Sequence, residues 1–207
     1  MRTRAVIVTL AATLIAACSS SKQAANPVEP DSLRVVGDPM PDAVLRTVDN
    51  QPMALRSLYA DRPVVITFYR GGWCPYCNKA LEQWDGRMGD IQAAGAHFVA
   101  ITPERPELVG NTVDKYDLDF PVYSDADGQA ARALGIAFTL DDATQTKYRG
   151  YGIDLARSNA NGSWDLPRPG TYIVDTKGII RYAHTDPNYV DGRADPDEVI
   201  AALRAMR

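Results

Sequence analysis

The stretch that decides the fold is Val64-Val65-Ile66-Thr67-Phe68-Tyr69-Arg70-Gly71-Gly72-Trp73-Cys74-Pro75-Tyr76-Cys77. It starts as a continuous apolar run, typical of a buried strand, passes two glycines and reaches a proline that suits the first position of a helix. From Cys77 onward, apolar residues recur every three or four positions until Gly95, at Leu81, Trp84, Met88 and Ile91. The stretch therefore predicts a strand over 64–69, a glycine turn and one amphipathic helix that ends at Gly95.

Cys74 and Cys77 lie where the turn meets the helix. Free backbone N–H groups and the helix dipole favour a thiolate there, so we expect Cys74 to be accessible, to have a lowered pKa and to attack. Cys77, one turn later on the buried face, lies close enough to form a disulfide with it. A disulfide that spans only two intervening residues stabilises a fold very little. Only His97 and His184 could join the thiols in a zinc site, so we expect no metal and no cofactor.

The remaining apolar runs place this pair in an α/β domain over residues 33–207. Helical patterns alternate with the strands, which predicts a largely parallel central sheet flanked by helices. A closing antiparallel hairpin through Gly178 makes that sheet mixed. Residues 138–166 follow no clear pattern and are interpreted as an insertion before the hairpin. The predicted strands are 44–48, 64–69, 97–101, 121–123, 171–174 and 179–182, and the later helices are 104–116, 129–134 and one that begins after Asp195.

The N-terminus is typical of an export signal. Arg2 and Arg4 precede an apolar run that is too short to span a bilayer. The run ends in Leu14-Ile15-Ala16-Ala17-Cys18, which resembles the bacterial lipobox. That resemblance implies a signal peptide over 1–17, lipidation of Cys18, a tether over 18–32 and a membrane anchor facing the periplasm. Ser19, which is not acidic, favours the outer membrane.

Charge excludes one class of partner. The net charge is -4 and the pI is about 5.2, without a cluster of Lys and Arg. The electrostatic surface that a phosphate backbone needs is absent, so we expect no nucleic-acid binding.

Three motifs resemble the peroxiredoxin-like branch of the alkyl hydroperoxide reductase/thiol-specific antioxidant (AhpC/TSA) family. They are Gly37–Asp42, Phe68–Cys77 and Pro169–Asp175. The resemblance implies a thioredoxin fold with an N-terminal redoxin extension, a hydroperoxide substrate and a thioredoxin-like reductant. Two registers remain open. The peroxiredoxin pattern makes Cys77 the attacking thiol, whereas the thioredoxin pattern makes it Cys74.

The chain departs from this family at one position. Peroxiredoxins carry an arginine where this chain has Pro169, and a proline there resembles the cis-proline of thioredoxin-like oxidoreductases. Arg70 or Arg168 could replace the missing charge. We therefore expect a thiol peroxidase, with protein disulfide exchange as the alternative and a copper chaperone as a minor one. The expected supporting residues are Arg70, Trp73, Pro75, Tyr76, Pro169 and Thr171.

Overall fold

The computed structural model describes residues 33–206. The predicted signal peptide, Cys18 and the tether lie outside the described residues. Among residues 33–206, every helix is too short or too polar to cross a membrane.

A seven-stranded sheet forms the centre of the domain. The strands are β1 (Val44–Arg46), β2 (Pro52–Ala54), β3 (Val64–Phe68), β4 (His97–Thr102), β5 (Val122–Ser124), β6 (Ala137–Thr139), β7 (Asp165–Pro167), β8 (Gly170–Val174) and β9 (Ile180–Thr185). The order across this sheet is β2-β1-β5-β4-β3-β8-β9. β3 is parallel to β4 and β4 to β5, whereas every other neighbouring pair is antiparallel. The mixed sheet is confirmed, but the expectation of a largely parallel one is wrong, because the N-terminal hairpin and the closing hairpin add antiparallel pairs at both edges.

Helices cover both faces of this sheet, which is why all five residues of β3 are buried. The helices are α1 (Pro75–Asp85), α2 (Met88–Ala93), α3 (Pro106–Tyr116), α4 (Gln129–Ala133), α5 (Asp142–Gly150), α6 (Leu155–Ser158) and α7 (Pro196–Ala205), with a 3-10 turn at Leu55–Tyr59. Val65 packs with α1, α2 and α7 on one face, and Val64 and Ile66 pack with α4 and the N-terminal segment on the other. This alternation follows from the two-residue period of a strand.

The single helix predicted up to Gly95 is in fact two helices. Gly86 caps the end of α1 through its N–H bond to Glu82, and α2 starts again at Met88. The apolar spacing could not reveal this break, because Trp84, Met88 and Ile91 still pack in one core.

The predicted insertion is a small folded unit. β6 and β7 pair antiparallel at its base, and α5 and α6 lie between them. Leu140, Leu155 and Leu166 form its core, against which Trp73 of the cysteine segment also packs. The insertion therefore contacts the cysteine segment directly.

Candidate active site

The two cysteines sit at the start of α1, as predicted. Cys74 is the N-cap residue, with an extended backbone, and Pro75 is the first helical residue. Cys77 follows in the first turn, and its N–H donates to the carbonyl of Cys74 at 3.0 Å. Both are free thiols, 2% and 0% exposed, and their side chains are hydrogen bonded to each other.

The surroundings of Cys77 favour its thiolate form. Its burial opposes ionisation, but the Cys74 thiol, the charge of Arg193 and the backbone N–H of Arg70 lower the pKa of Cys77 to about 6. The Nη2 atom of Arg193 lies 3.4 Å from the sulfur. Three donors at one sulfur outweigh the desolvation that would otherwise keep the thiol protonated.

The expectation that Cys74 is accessible and ionised is wrong. Its hydrogen bond to Cys77, and then its burial, raise the pKa of Cys74 well above that of a free thiol. The pKa of Cys74 is raised because its thiol donates a hydrogen bond to the sulfur of Cys77. The groups that stabilise a thiolate, Arg193 and the N–H of Arg70, are directed at Cys77. Of the two registers, this geometry favours the one in which Cys77 attacks.

Arg70 is buried near the two cysteines, among three aromatic rings. Its guanidinium carbon lies 4.1 Å from the ring centre of Tyr189, 5.2 Å from Trp73 and 5.6 Å from Tyr148. One of its amino groups donates to the hydroxyl of Tyr148. Arg70 therefore joins the cysteine turn to the insertion, which contributes Tyr148, and to the segment before α7, which contributes Tyr189.

Trp73 and Tyr76 have different places around the pair. Trp73 is half-buried, with its ring 5.8 Å from that of Tyr148. Tyr76 is 45% exposed and its ring lies 6.0 Å from that of Tyr189. Tyr76 thus lies at the rim and not in the wall of the site.

The buried carboxyl group of Glu104 is hydrogen bonded to the glycine turn. Glu104 is 3% exposed and accepts a hydrogen bond of 2.7 Å from the N–H of Gly72. Burial, and to a smaller degree the negative charge of Cys77, raises the pKa of this carboxyl to about 7, against the pull of the Gly72 hydrogen bond. A side chain that titrates near neutrality is thus electrostatically linked to Cys77.

Pro169 and Thr171 reach the pair from the sheet. Both line a small cavity on the Cys77 side, together with Thr67, whose hydroxyl lies 3.0 Å from that of Thr171. Among residues 33–206 no peptide bond is cis, so the expected cis-proline is wrong. The chain enters β8 extended from β7, since the N–H of Arg168 continues the β6–β7 pairing by bonding to Ile136.

Sequence reasoning missed Arg193, Glu104 and Tyr148. Arg193 comes from the segment between β9 and α7, and no local pattern marks it. Glu104 had a usable signal, because it follows the carboxyl end of a buried parallel strand next to β3. Within the described residues, no group of three or more His, Cys, Asp or Glu side chains is arranged to hold a metal ion. A copper site made of the two thiols and a histidine, which the copper-chaperone alternative requires, is therefore not formed there.

Comparisons with known proteins identify the family. A Mycobacterium tuberculosis protein described as a peroxiredoxin is 32% identical over 99 residues, which cover 48% of this chain and 62% of that protein, less than two thirds of its length. Chloroplastic peroxiredoxin Q of Sedum lineare is 23% identical over 171 residues, 83% of this chain and 78% of that one. The crystal structure of peroxidoxin BcpB from Mycobacterium tuberculosis superposes with a TM-score of 0.66 at 23% identity, covering 84% of this chain and 98% of that one. Residues 36–183 match the model of the AhpC/TSA family, and the chain belongs to that family.

Proposed function

We propose that this protein is a thiol peroxidase that reduces hydroperoxides through a Cys74–Cys77 dithiol/disulfide cycle. The observation that carries the proposal is the hydrogen-bonded pair of free thiols in which the pKa of Cys77 is lowered to about 6. A thiolate that exists at neutral pH is the nucleophile that peroxide chemistry requires. Family membership and the peroxiredoxin names of its relatives support the same reaction.

The cycle proceeds in three balanced steps. The Cys77 thiolate attacks one peroxide oxygen, the O–O bond breaks, and the leaving oxygen departs as water or an alcohol after it takes up a proton. Cys77 is then a sulfenic acid. The sulfur of Cys74 attacks it, an S–S bond forms, and the released hydroxide leaves as water with the proton of Cys74. An external dithiol, by our proposal a thioredoxin-like protein, returns two electrons.

Burial favours a small substrate over a protein substrate. The sulfur atoms belong to residues that are 2% and 0% exposed, so a folded or extended client cannot reach them in this conformation. Exchange with exported proteins remains the alternative, and it requires the structure around the buried thiols to open. The thioredoxin-like reductant requires the same opening, once per turnover.

The test is peroxide turnover by the purified full chain supplied with a thioredoxin system. We expect peroxide-dependent oxidation of the reductant, which the Cys77→Ser variant abolishes. The Cys74→Ser variant should instead accumulate a sulfenic acid on Cys77 that a dimedone probe captures. Turnover no higher than that of the double Cys→Ser variant would refute the function. Mixed disulfides with client proteins in a Cys77→Ser strain would favour the alternative.

We also propose that the protein is exported and anchored by lipid on Cys18, facing the periplasm on the outer membrane. The lipobox-like Leu14–Cys18, preceded by Arg2 and Arg4, supports this. Expression in a Gram-negative bacterium with a labelled fatty acid tests it. Label should enter the wild-type protein and should be absent from Cys18→Ser, and membrane fractionation should place the labelled protein with the outer membrane. Label in both proteins, or in neither, would contradict the anchor.

A further inference from the structure

A row of three polar side chains crosses the sheet from the thiol site to its edge. Thr67 of β3 is paired with Thr171 of β8, and Thr171 is paired with His184 of β9. The row lies on the face that packs against α1 and α7, because Ile173 and Tyr182, two positions away on β8 and β9, belong to or pack against that core. β9 is the last strand of the sheet, so the row ends at an edge.

The two threonines connect this row to Cys77. Their hydroxyls lie 3.0 Å apart and are hydrogen bonded, and both residues are buried. Thr67 and Thr171 line the cavity beside Cys77, which has room for about one water molecule. A hydroxyl accepts two hydrogen bonds and donates one. Thr171 can therefore accept from its neighbours in the row and donate into the cavity.

His184 is the outer member of the row. The residue is partly exposed, but its Nε2 atom is buried and makes no hydrogen bond within residues 33–206. Side chains directly opposite each other on antiparallel strands have Cβ atoms about 4.5–5.5 Å apart, so Thr171 is its immediate polar neighbour. A buried ring nitrogen is normally paired, and an imidazole exchanges protons with water. His184 thus joins the solvent side of β9 to the buried hydroxyls.

The first step of the proposed cycle consumes one proton, because the leaving oxygen must become water or an alcohol. The titratable residues that line the cavity are Tyr69, Cys77 and Arg193. Burial raises the pKa of Tyr69 well above that of a free phenol, and a guanidinium keeps its proton. The proton of Cys74 is needed in the following step, when the disulfide forms. The proton of the first step therefore needs a source outside the cavity.

We propose, building on the peroxidase function, that His184 supplies the proton for peroxide cleavage through the hydroxyl of Thr171 and recovers it when the disulfide is reduced. The sulfur of Cys77 forms a bond to the peroxide oxygen that carries hydrogen, the O–O bond breaks, and Cys77 becomes a sulfenic acid. The leaving oxygen takes the proton of the Thr171 hydroxyl, directly or through one water. Thr171 in turn takes the Nε2 proton of the His184 imidazolium.

The proton returns later in the same cycle. When an external dithiol reduces the disulfide, Cys74 becomes a thiol and Cys77 a thiolate, so one of the two protons of the dithiol is released. The neutral imidazole of His184 takes up this proton along the same row. The proton consumed in the first step is thus replaced in the last, and the net reaction takes none from His184.

The experiment compares two oxidants whose leaving groups differ in basicity. Hydrogen peroxide releases hydroxide, which must be protonated, whereas peracetic acid releases acetate, a weak base that leaves without a proton. The oxidation rate of Cys77 is measured on the reduced full chain by quenched alkylation and mass spectrometry. In His184→Gln, the rate with hydrogen peroxide should fall about 10²-fold, and the rate with peracetic acid should change by less than about threefold.

Thr171 and the second histidine of the chain provide the matched variants. Thr171→Val removes the hydroxyl and should show the same difference between oxidants, whereas Thr171→Ser keeps the hydroxyl and should retain most of the rate with hydrogen peroxide. His97→Gln is the control, because His97 lies at the start of β4 and its ring contacts the carbonyl of Leu58. This variant should change neither rate.

Two results would overturn the inference while the peroxidase function stands. Equal losses with both oxidants in His184→Gln and Thr171→Val would mean that the row only supports the fold. An unchanged rate with hydrogen peroxide in these variants would mean that the proton comes from another group. If His184→Gln does not fold, the comparison of Thr171→Val with Thr171→Ser decides. No oxidation of Cys77 by either oxidant in the wild type would remove the function itself.

Discussion

The thiol of Cys74 donates a hydrogen bond to the sulfur of Cys77, so one proton shared within the pair determines which sulfur is the nucleophile. This bond lowers the pKa of Cys77 and raises that of Cys74. The two titrations are linked, and the charge of Arg193 keeps the thiolate on the Cys77 side.

The first prediction concerns the pH at which the thiolate forms. Alkylation of Cys77 in the Cys74→Ser variant, whose hydroxyl still donates, should increase with pH through a midpoint near the pKa of about 6. Cys74→Ala removes the donor and should move that midpoint upward. In Cys77→Ser, the remaining Cys74 should react slowly at neutral pH, because burial still raises the pKa of its thiol and keeps it protonated. Faster alkylation of Cys74 than of Cys77 at neutral pH would reverse our assignment.

The second prediction uses the buried acid behind the glycine turn. The pKa of Glu104 is raised from 4.5 to about 7, so the folded state binds this proton more tightly than the unfolded chain does. The resulting stability is fully present below pH 4.5 and is lost as the pH rises through about 7. The loss is on the order of 3 kcal/mol.

Urea denaturation of wild type and of Glu104→Gln at several pH values measures this loss of stability. The amide can still accept from Gly72 but cannot titrate there. The difference in unfolding free energy between the two proteins should therefore fall by that amount between about pH 4 and about pH 8. A difference that is constant with pH would mean that Glu104 keeps an ordinary pKa.

The sequence was sufficient for the fold around the thiols but not for their roles. Residues 64–77 predict strand, turn and helix, because apolar runs, glycines and an N-terminal proline are local signals. The roles depend on Arg193, which lies 116 positions after Cys77 in the chain and reaches it only when β9 and α7 are in place. The electrostatics of a helix start favour Cys74 when only the sequence is known. No local pattern shows that the hydrogen-bond donors, Arg193 among them, converge on Cys77. The break at Gly86 was hidden for a different reason, since both helices share one buried face.

The third prediction concerns the fit of the glycine turn against α3. A Cβ at position 72 would lie 2.1 Å from the hydroxyl oxygen of Thr112, so Gly72→Ala should destabilise the fold by about 1–3 kcal/mol. Gly89→Ala is the matched control, because a Cβ there meets nothing within 4 Å and alanine favours the helix. That variant should gain about 0.5–1 kcal/mol. Chemical denaturation compares them, and Thr112→Ala added to Gly72→Ala should restore part of the loss if the clash is its cause.

The fourth prediction tests whether Arg70 holds the insertion against the cysteine segment. Tyr148→Phe keeps the ring beside the guanidinium but removes the hydroxyl that accepts from it. Arg70 is 2% exposed and its Nε already lacks a partner within residues 33–206, so a further unsatisfied donor should cost about 1–3 kcal/mol. Tyr151→Phe, on the same insertion but 66% exposed, should change stability by less than about 0.5 kcal/mol. Hydrogen exchange should also increase in α5 for Tyr148→Phe, because this hydrogen bond joins α5 to the cysteine turn. Equal stability of the two variants would show that ring packing alone holds the insertion against the cysteine segment, without the hydrogen bond from Arg70.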